Sequence, residues 1–239
     1  MVGHCGYEAG ESEGEAAMLE LTEMKGAIFD LDGVIVDTAK YHYLAWRWLA
    51  NQHGFDFTEA DNERLKGVSR ARSLDILLEI GGVAASEDEK REMAESKNAK
   101  YVAYISKLDE SELLPGAKAY IQMLRARGVR ISLGSASKNA MAILGRLGIA
   151  ELFDAIVDGT KTSAAKPDPE VFLLAAEELG LQPETCIVFE DAAAGVQAAR
   201  AAGMQVVGIG KPASLPEAEF VVASLAELLP FERIGGREA

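Results

Sequence analysis

The feature that most constrains this chain is the segment 27–33, in which a short apolar run ends in two aspartates and a glycine. A short apolar run bounded by turn residues is typical of a buried strand. Because successive side chains of a strand alternate between its faces, Asp30 and Asp32 would point the same way. Two interpretations are open at this point: the aspartates cap a turn, or they hold a cation or a substrate at the end of the strand.

The second half of the chain alternates between predicted helices and predicted strands. Strands are expected at about 129–134, 155–157, 186–189 and 205–209. Repeated alternation of this kind predicts an α/β fold, a Rossmann-like parallel sheet with helices on both faces. In such folds, ligands bind beyond the carboxyl ends of the strands.

Between residues 38 and 110 the sequence has the pattern of helices only. These helices are expected at about 38–53, 59–65, 71–80 and 86–107. We therefore expect a helical-bundle cap domain over residues 37–109. It would be inserted into a core domain formed by residues 24–36 and 110–239.

The first 23 residues differ in composition from the rest of the chain. They contain six glutamates and no lysine or arginine. They also lack the basic region and apolar stretch of a signal peptide. We expect a mobile acidic extension over residues 1–23, and Met24, just before the first strand, is an alternative start of the natural protein.

The overall charge and the cysteines exclude several function classes. A net charge of −14 disfavours nucleic acids and anionic membrane surfaces as partners. No apolar run approaches the roughly 20 residues needed to cross a bilayer. Cys5 and Cys186 are far apart and have no metal-binding spacing, which favours a reduced, cytoplasmic setting. We expect a cytoplasmic monomer that acts on a small molecule, with no nucleic-acid or membrane partner.

Polar side chains follow the predicted strands where their carboxyl ends would meet at one edge of the sheet. Four of these residues are acidic: Asp30, Asp32, Glu190 and Asp191. Carboxylates without nearby histidine or cysteine form the kind of oxygen ligand set that Mg²⁺ prefers. The alternative for Asp191 is that it only caps the next helix.

Cationic and hydroxyl side chains are expected at the same edge. Ser135, Ser137 and Lys138 follow one strand and could bind a phosphoryl group, and Lys166 would add a second cation. The alternative for each lysine is an ordinary solvated surface residue. Together with the acidic set, these residues predict a site that binds both a metal ion and a phosphate.

The order of these residues resembles a known family. The segment 30–34, Asp-Leu-Asp-Gly-Val, is similar to the signature of the haloacid dehalogenase-like phosphotransferases. Ser135, Lys166 and the Glu190-Asp191 pair follow in the family's order. The resemblance covers the chain from about residue 24 to residue 210 and leaves out the acidic extension.

The resemblance implies a role for each carboxylate. Asp30 would be the nucleophile that forms an aspartyl phosphate, and Asp32 would be the general acid and base. Mg²⁺ would be held by Asp30, the backbone carbonyl of Asp32, Glu190 and Asp191. Two carboxylates on one strand face would then carry out two different tasks.

Finer motifs in segments 37–46, 65–73 and 135–139 resemble those of family members that move a phosphoryl group within one sugar. By that resemblance the substrate- and phosphate-binding residues would be Thr38, His42, Trp46, Lys66, Gly67, Arg70, Ser73, Ser135, Ala136, Ser137, Lys138, Asn139 and Lys166. We expect the ring of Trp46 mainly to pack, and His42 to reach Asp32 or its neighbours when the cap closes.

The residues Lys66 and Arg70 bear most directly on the reaction. Their spacing, with Gly67 between them, is consistent with a loop that binds a second phosphate far from Asp30. The alternative is an ordinary basic helix edge. A mutase needs two phosphate sites, whereas a phosphatase needs one.

The resemblance therefore implies an enzyme that interconverts β-glucose 1-phosphate and glucose 6-phosphate. Its cofactors would be Mg²⁺ and β-glucose 1,6-bisphosphate, the latter as a priming intermediate. The alternatives are a Mg²⁺-dependent sugar-phosphate phosphatase of the same family and a non-catalytic protein that binds sugar phosphates.

Overall fold

The computed structural model describes residues 23–65 and 69–229. Its centre is a sheet of six strands, all parallel, in the order β3-β2-β1-β4-β5-β6. The strands are β1 Gly26–Phe29, β2 Arg130–Gly134, β3 Ala155–Val157, β4 Cys186–Glu190, β5 Gln205–Ile209 and β6 Phe220–Val222. Asp30 thus follows a central strand, with β2 on one side of β1 and β4 on the other.

Four helices lie between residues 38 and 110, and no strand is assigned there among the described residues. They are α1 Ala39–Gln52, α2 Glu59–Asn62, α3 Arg70–Gly81 and α4 Glu87–Ile105. The side chains that α1 and α3 bury form a cluster of their own, which includes Trp46, Leu49, Leu74 and Leu77. The apolar faces of α1 and α3, buried against each other, explain why these two helices pack together.

The remaining helices cover the two faces of the sheet. They are α5 Ala117–Ala126, α6 Ala140–Arg146, α7 Glu170–Leu179 and α8 Ala193–Ala201. Phe29 packs in the cluster that contains α5 and α6, whereas Ile28 packs in the cluster that contains α7 and α8. Neighbouring side chains of β1 therefore pack on opposite faces of the sheet, as the alternation of side chains along a strand requires. The predicted α/β fold, with helices on both faces of a parallel sheet, is confirmed.

Some details differ from the sequence prediction. The helix expected over 59–65 is α2 followed by a separate 3₁₀ turn at Glu63–Leu65. Strand β6, Phe220–Val222, was not predicted. Residues 1–22, with almost all of the expected acidic extension, lie outside the described residues. No helix in the described parts of the chain is both long and apolar enough to span a membrane.

The two linkers that lead into and out of the helical segment lie side by side. Val36 forms an isolated antiparallel bridge with Leu113. Glu112, in the second linker, accepts hydrogen bonds from Lys40 Nζ at 2.5 Å and from the Tyr41 hydroxyl at 2.9 Å. One carboxylate therefore connects the start of α1 with the segment that returns to the sheet.

Candidate active site

Three carboxylates meet where β1 and β4 end. The backbone N–H of Asp30 donates to the carbonyl of Phe189 at 2.9 Å, which continues the pairing of the two strands to their last residues. Oxygen atoms of Asp30, Glu190 and Asp191 all lie within 4.8 Å of one another. Asp30 and Glu190 are buried, whereas Asp191 is open to solvent. Adjacent strand ends thus form a compact oxygen cluster.

Lys166 is the cation that contacts this cluster. Its Nζ lies 2.5 Å from Asp30 Oδ1, 2.8 Å from Glu190 Oε2 and 3.1 Å from the carbonyl oxygen of Gly134. Burial alone would lower the pKa of Lys166, but the carboxylates of Asp30 and Glu190 outweigh it and raise that pKa above its usual value. The amine is therefore held in its charged form.

The acidic cluster keeps an excess of negative charge, because Lys166 is a single cation beside three carboxylates. Burial raises the pKa of Glu190, with Lys166 opposing it. The residue Asp191 is exposed as a whole, but its carboxyl group lies within the cluster beside Gly33, where burial together with the Asp30 carboxylate raises its pKa to about 7. Such shifts mean that ionised carboxylates crowd each other. Three oxygen ligands with uncompensated charge fit a hard divalent cation such as Mg²⁺. The donor set therefore suits the metal that the sequence predicted.

Two glycines make room for this cluster. A Cβ atom on Gly33, whose φ is 82°, would collide with the carboxylate of Asp191. A Cβ atom on Gly195, in the first turn of α8, would collide with the carboxyl group of Glu190. Asp191 is not a helix cap, because the N-cap position of α8 is Ala192. That alternative for Asp191 is therefore wrong, and its side chain belongs to the acidic cluster.

Asp32 lies apart from the three-carboxylate cluster and is bonded by Thr38. The Thr38 hydroxyl donates a short hydrogen bond to Asp32 Oδ1. Thr38 occupies the N-cap position of α1 but makes no side-chain capping bond, so its hydroxyl serves Asp32 instead. Burial, followed by the charge of Asp30, raises the pKa of Asp32 to about 7, and the bond from Thr38 opposes that rise. A carboxyl group with such a pKa can exchange protons near neutral pH.

The loop after β2 is tied to the loop after β3. The backbone N–H of Ser137 donates to Ser135 Oγ at 3.1 Å, and that of Asn139 donates to Ser137 Oγ at 3.3 Å. Gly159 N–H donates to the Ser137 carbonyl at 3.2 Å. Ser135 is buried at the strand end, whereas Ala136 and Lys138 are exposed. The loop is thus a fixed turn with its polar groups at the carboxyl edge of the sheet.

The helical segment brings a second cationic group to the site. Lys97 Nζ lies 2.8 Å from His42 Nδ1 and 4.4 Å from the ring centroid of Trp46. Burial lowers the pKa of Lys97 to about 7 and that of His42 to about 3. The charge of Arg70 adds to both shifts. Among the described residues, no carboxylate pairs with Lys97.

The expected residues fall into two groups in space. Asp30, Lys166, Glu190 and Asp191 are in direct contact, and the Asp32–Thr38 pair and the loop at 135–139 follow neighbouring strands. From the helices, Trp46 packs under Lys97 and Ser73 is buried in α3. His42 is bonded to Lys97 and not to Asp32, whose Oδ1 is taken by Thr38. Lys66 and Gly67 lie outside the described residues.

Three side chains at the site were not singled out by the sequence: Lys97, Asn98 and Tyr101, all on α4. Asn98 Oδ1 accepts from Asn139 Nδ2 at 3.4 Å, which links α4 to the loop after β2. Tyr101 stacks on His42 with ring centroids 4.0 Å apart. Lys97 and Tyr101 are four residues apart, which puts both on one face of α4, but no pattern in the sequence distinguishes that face.

Comparison with known proteins gives consistent similarities. A model of the haloacid dehalogenase-like hydrolase family matches residues 24–203. The chain is 45% identical over 207 residues to a beta-phosphoglucomutase of Bacillus subtilis, which covers 86% of this chain and 92% of that protein. It is 34% identical over 188 residues to a phosphorylated carbohydrates phosphatase of Thermotoga maritima, covering 76% of this chain and 83% of that protein.

A solved structure agrees with the sequence comparison. The crystal structure of a beta-phosphoglucomutase from Clostridium difficile superposes with a TM-score of 0.80 and is 45% identical. The match covers 87% of this chain and 94% of that one. The similarity therefore extends over both the sheet and the helical segment.

Proposed function

Because the chain belongs to the haloacid dehalogenase-like hydrolase family, we propose that it is a β-phosphoglucomutase, which interconverts β-glucose 1-phosphate and glucose 6-phosphate. The observation that carries the proposal is the buried Lys97, which has no carboxylate partner among the described residues. A buried cation is costly unless an anion pairs with it. With Arg70 nearby, Lys97 supplies cationic charge for an anionic substrate in addition to Lys166 at the nucleophile.

Asp30 carries the transferring phosphoryl group in this proposal. Lys166 fixes the Asp30 carboxylate by the 2.5 Å contact and balances part of its charge. The Mg²⁺ ion would be held by Asp30, the backbone carbonyl of Asp32, Glu190 and Asp191, where it would neutralise phosphoryl charge. The amine and the fixed strand ends align Asp30 for in-line attack.

Asp32 moves the protons. Phosphorylated Asp30 gives its phosphoryl group to the 6-hydroxyl of β-glucose 1-phosphate, and Asp32 accepts the proton of that hydroxyl. The product is β-glucose 1,6-bisphosphate, which turns over in the site. Its 1-phosphoryl group then passes to Asp30, Asp32 returns the proton to O1, and glucose 6-phosphate leaves. A pKa of about 7 suits both directions.

The helices and the loop after β2 position the substrate in this proposal. Lys66, Gly67, Arg70 and Ser73 would bind the phosphate that is not reacting, together with Lys138 and Asn139. The transferring phosphate would contact Ser135, Ala136 and Ser137. Thr38, His42 and Trp46 would line the sugar. Residues 37–109 would act as a cap that excludes water, which protects the aspartyl phosphate. We propose that one chain suffices and that the protein is a monomer.

A phosphatase is the second candidate. The 34% identity to the Thermotoga maritima protein favours it, because that relative is named a phosphorylated carbohydrates phosphatase. In that reaction water would replace the sugar hydroxyl, and Asp32 would activate the water.

A coupled assay separates the two candidates. We expect β-glucose 1-phosphate, Mg²⁺ and a trace of β-glucose 1,6-bisphosphate to yield glucose 6-phosphate, with little free phosphate. Release of phosphate without glucose 6-phosphate would reject the mutase and leave the phosphatase.

The Asp30→Asn variant tests the nucleophile in the same assay. It removes the attacking carboxylate, so we expect turnover to fall by at least roughly 10³-fold and no phosphorylated protein to form. Normal turnover by this variant would point instead to a catalytic residue elsewhere or to a contaminating enzyme.

A further inference from the structure

The aromatic ring of Phe172 lies against the ammonium group of Lys166. The Nζ atom of Lys166 is 4.7 Å from the centre of the Phe172 ring. The ring is fully buried in α7, and the Lys166 side chain is only 12% exposed. A cation within about 6 Å of the face of an aromatic ring is attracted by the ring, more strongly where water is excluded. Phe172 therefore contacts the cation that pairs with Asp30.

The three N–H groups of the Lys166 amine match three oxygen contacts. An ammonium group has three donors. The Nζ atom lies 2.5 Å from Asp30 Oδ1, 2.8 Å from Glu190 Oε2 and 3.1 Å from the carbonyl oxygen of Gly134. These oxygens belong to the ends of three neighbouring strands. Since the donors are used by these oxygens, a further attraction to the amine has to be of another kind, and the ring face supplies it.

Close packing keeps the Phe172 ring at the end of β2. A Cβ atom on Gly134 would lie 2.9 Å from Cδ1 and 3.0 Å from Cε1 of the ring, so the ring occupies the space that a side chain there would need. On its other contacts the ring packs in the core cluster that includes Ile28 and Val188. The ring thus lies directly against the residue whose carbonyl accepts from Lys166.

Helix α7 also holds the backbone that leads to Lys166. The Glu170 carboxylate, in the first turn of α7, accepts from the N–H of Ser163 at 2.9 Å and from the N–H of Ala164 at 2.6 Å. Phe172 follows two residues later on the same helix. One helix therefore fixes both the start of the loop that carries Lys166 and the ring beside its amine.

We propose that Phe172 is a positioning residue, whose ring face attracts the Lys166 ammonium group and holds it against the Asp30 carboxylate. Without this attraction the amine would keep its oxygen partners but occupy a wider range of positions, and Asp30 would be less well aligned for attack. This inference rests on the proposed role of Asp30 as nucleophile. The alternative is that Phe172 only fills space in the core.

Fluorinated phenylalanines at position 172 separate attraction from packing. Ring fluorines withdraw negative charge from the ring face and change the ring's shape little, so mono-, di- and trifluorophenylalanine weaken the attraction in steps. We expect kcat of the proposed mutase reaction to fall at each step, by about 3- to 30-fold for the trifluoro form, with KM within about twofold.

The same fluorinated series at Phe57 is the matched control. Phe57 is also fully buried, but it packs in the separate cluster of the helical segment. We expect kcat to stay within about twofold throughout that series. A kcat that does not depend on the number of fluorines at position 172, or equal losses in the two series, would overturn the proposal.

A stability cycle tests the contact without substrate or metal. Phe172→Leu removes the ring and Lys166→Met removes the cation, so the melting temperatures of the two single variants and the double variant measure their coupling in EDTA. We expect Phe172→Leu to lower the melting temperature by roughly 2–4 °C more in the wild-type background than in the Lys166→Met background. Phe57→Leu should cause the same loss in both backgrounds. Equal losses for Phe172→Leu would show that its ring only packs, and would overturn the proposal.

The two readouts distinguish failure of this inference from failure of the proposed function. If the wild type releases phosphate and makes no glucose 6-phosphate, the mutase is rejected, and the fluorinated series is compared by phosphate release. A stepwise fall of kcat at position 172 supports the role of Phe172 in either reaction. The stability cycle decides whether the ring and the amine attract each other, whichever reaction the wild type catalyses.

Discussion

Lys97 Nζ lies 2.8 Å from His42 Nδ1, inside a pocket of aromatic rings and without a carboxylate partner among the described residues. Both groups would repel each other if both were protonated, and burial disfavours either charge. His42 is therefore neutral near pH 7, and the charged form of Lys97 is disfavoured until an anion pairs with it. This relationship predicts a conflict between stability and function at one residue.

Replacing Lys97 by methionine should stabilise the free protein and impair substrate binding. The folded pKa of about 7 is below the usual 10.5, so the unfolded chain binds the proton more readily between these values. Lys97 therefore lowers the free energy of unfolding by its full amount below pH 7, and this loss of stability disappears as the pH rises towards 10.5. We expect a gain of roughly 2–4 °C in melting temperature at pH 7, which is about 1 kcal/mol for a chain of this size.

The Lys100→Met variant is the control, since Lys100 lies on the same helix and faces Trp48. Thermal shift with β-glucose 1-phosphate should stabilise the wild type and Lys100→Met and fail to stabilise Lys97→Met. A Lys97→Met protein that is less stable than the wild type would show that Lys97 is paired in solution.

The Asp191→Asn variant should be more stable than the wild type in EDTA at pH 8. The pKa of Asp191 is raised from 3.8 to about 7 in the folded chain, so the folded state holds this proton more tightly than the unfolded state does. Loss of the proton between pH 3.8 and pH 7 therefore lowers the free energy of unfolding. The gap in melting temperature should be roughly 2–4 °C at pH 8, allowing for solvent screening, and should shrink towards pH 5. Added Mg²⁺ should stabilise the wild type but not the variant. A constant gap over this pH range would contradict the raised pKa.

The Gly195→Ala variant should lose activity, although alanine favours helices more than glycine does. The new methyl group would collide with the Glu190 carboxyl group and displace it from the acidic cluster. Mutation of a group that orients a metal ligand typically lowers metal affinity or activity by about 10- to 100-fold, and we expect a loss of activity of that order. Gly145→Ala is the control, because that helical position has open space. It should stabilise the protein by about 0.5–1 kcal/mol with normal turnover.

Glu112→Gln should loosen the connection between the two linkers. Glu112 accepts from Lys40 and Tyr41, and these bonds, Lys40 first, hold the pKa of its carboxyl group below the usual value. Since the pair is partly exposed, the stability loss should stay within about 1 kcal/mol. Hydrogen exchange should rise in residues 33–38 and 106–116, and kcat and KM should change together, as for hinge variants. Glu110→Gln, which breaks a bond to Lys118 within one side of the linker region, should leave both unchanged.

Five of the six strands of the parallel sheet could be predicted, because each of the five is a distinct apolar run between helical patterns. The proximity of Asp30 to Glu190 follows from the same logic, since parallel strands share one carboxyl edge. Their roles stay predictions. The local geometry around Asp191 could not be predicted, because an aspartate before a helix is as typical of an N-cap as of a ligand.

The contribution of α4 could not be predicted from its own sequence. The helix is polar along most of its length, so Lys97 resembles the other charged residues around it. What distinguishes Lys97 and Tyr101 is their burial against α1, which depends on how two helices pack. Sequence patterns report which face of a helix is apolar, whereas a buried cation contradicts that pattern and is found only from tertiary contacts.

The bridge between Val36 and Leu113 has a consequence for how such enzymes can diversify. The chain leaves the sheet after β1 and returns beside its point of departure before β2, and the two strands pair in register from Gly26 with Arg130 onward. The helical segment is thus joined to the sheet through two adjacent linkers, although Ala45, Tyr101 and Ile105 also pack in the core cluster that contains Phe29. A different helical insert joined at the same linkers would keep the strand ends that hold Asp30, Glu190 and Asp191. It would change the groups that the helices bring to the site, such as Lys97 and Asn98.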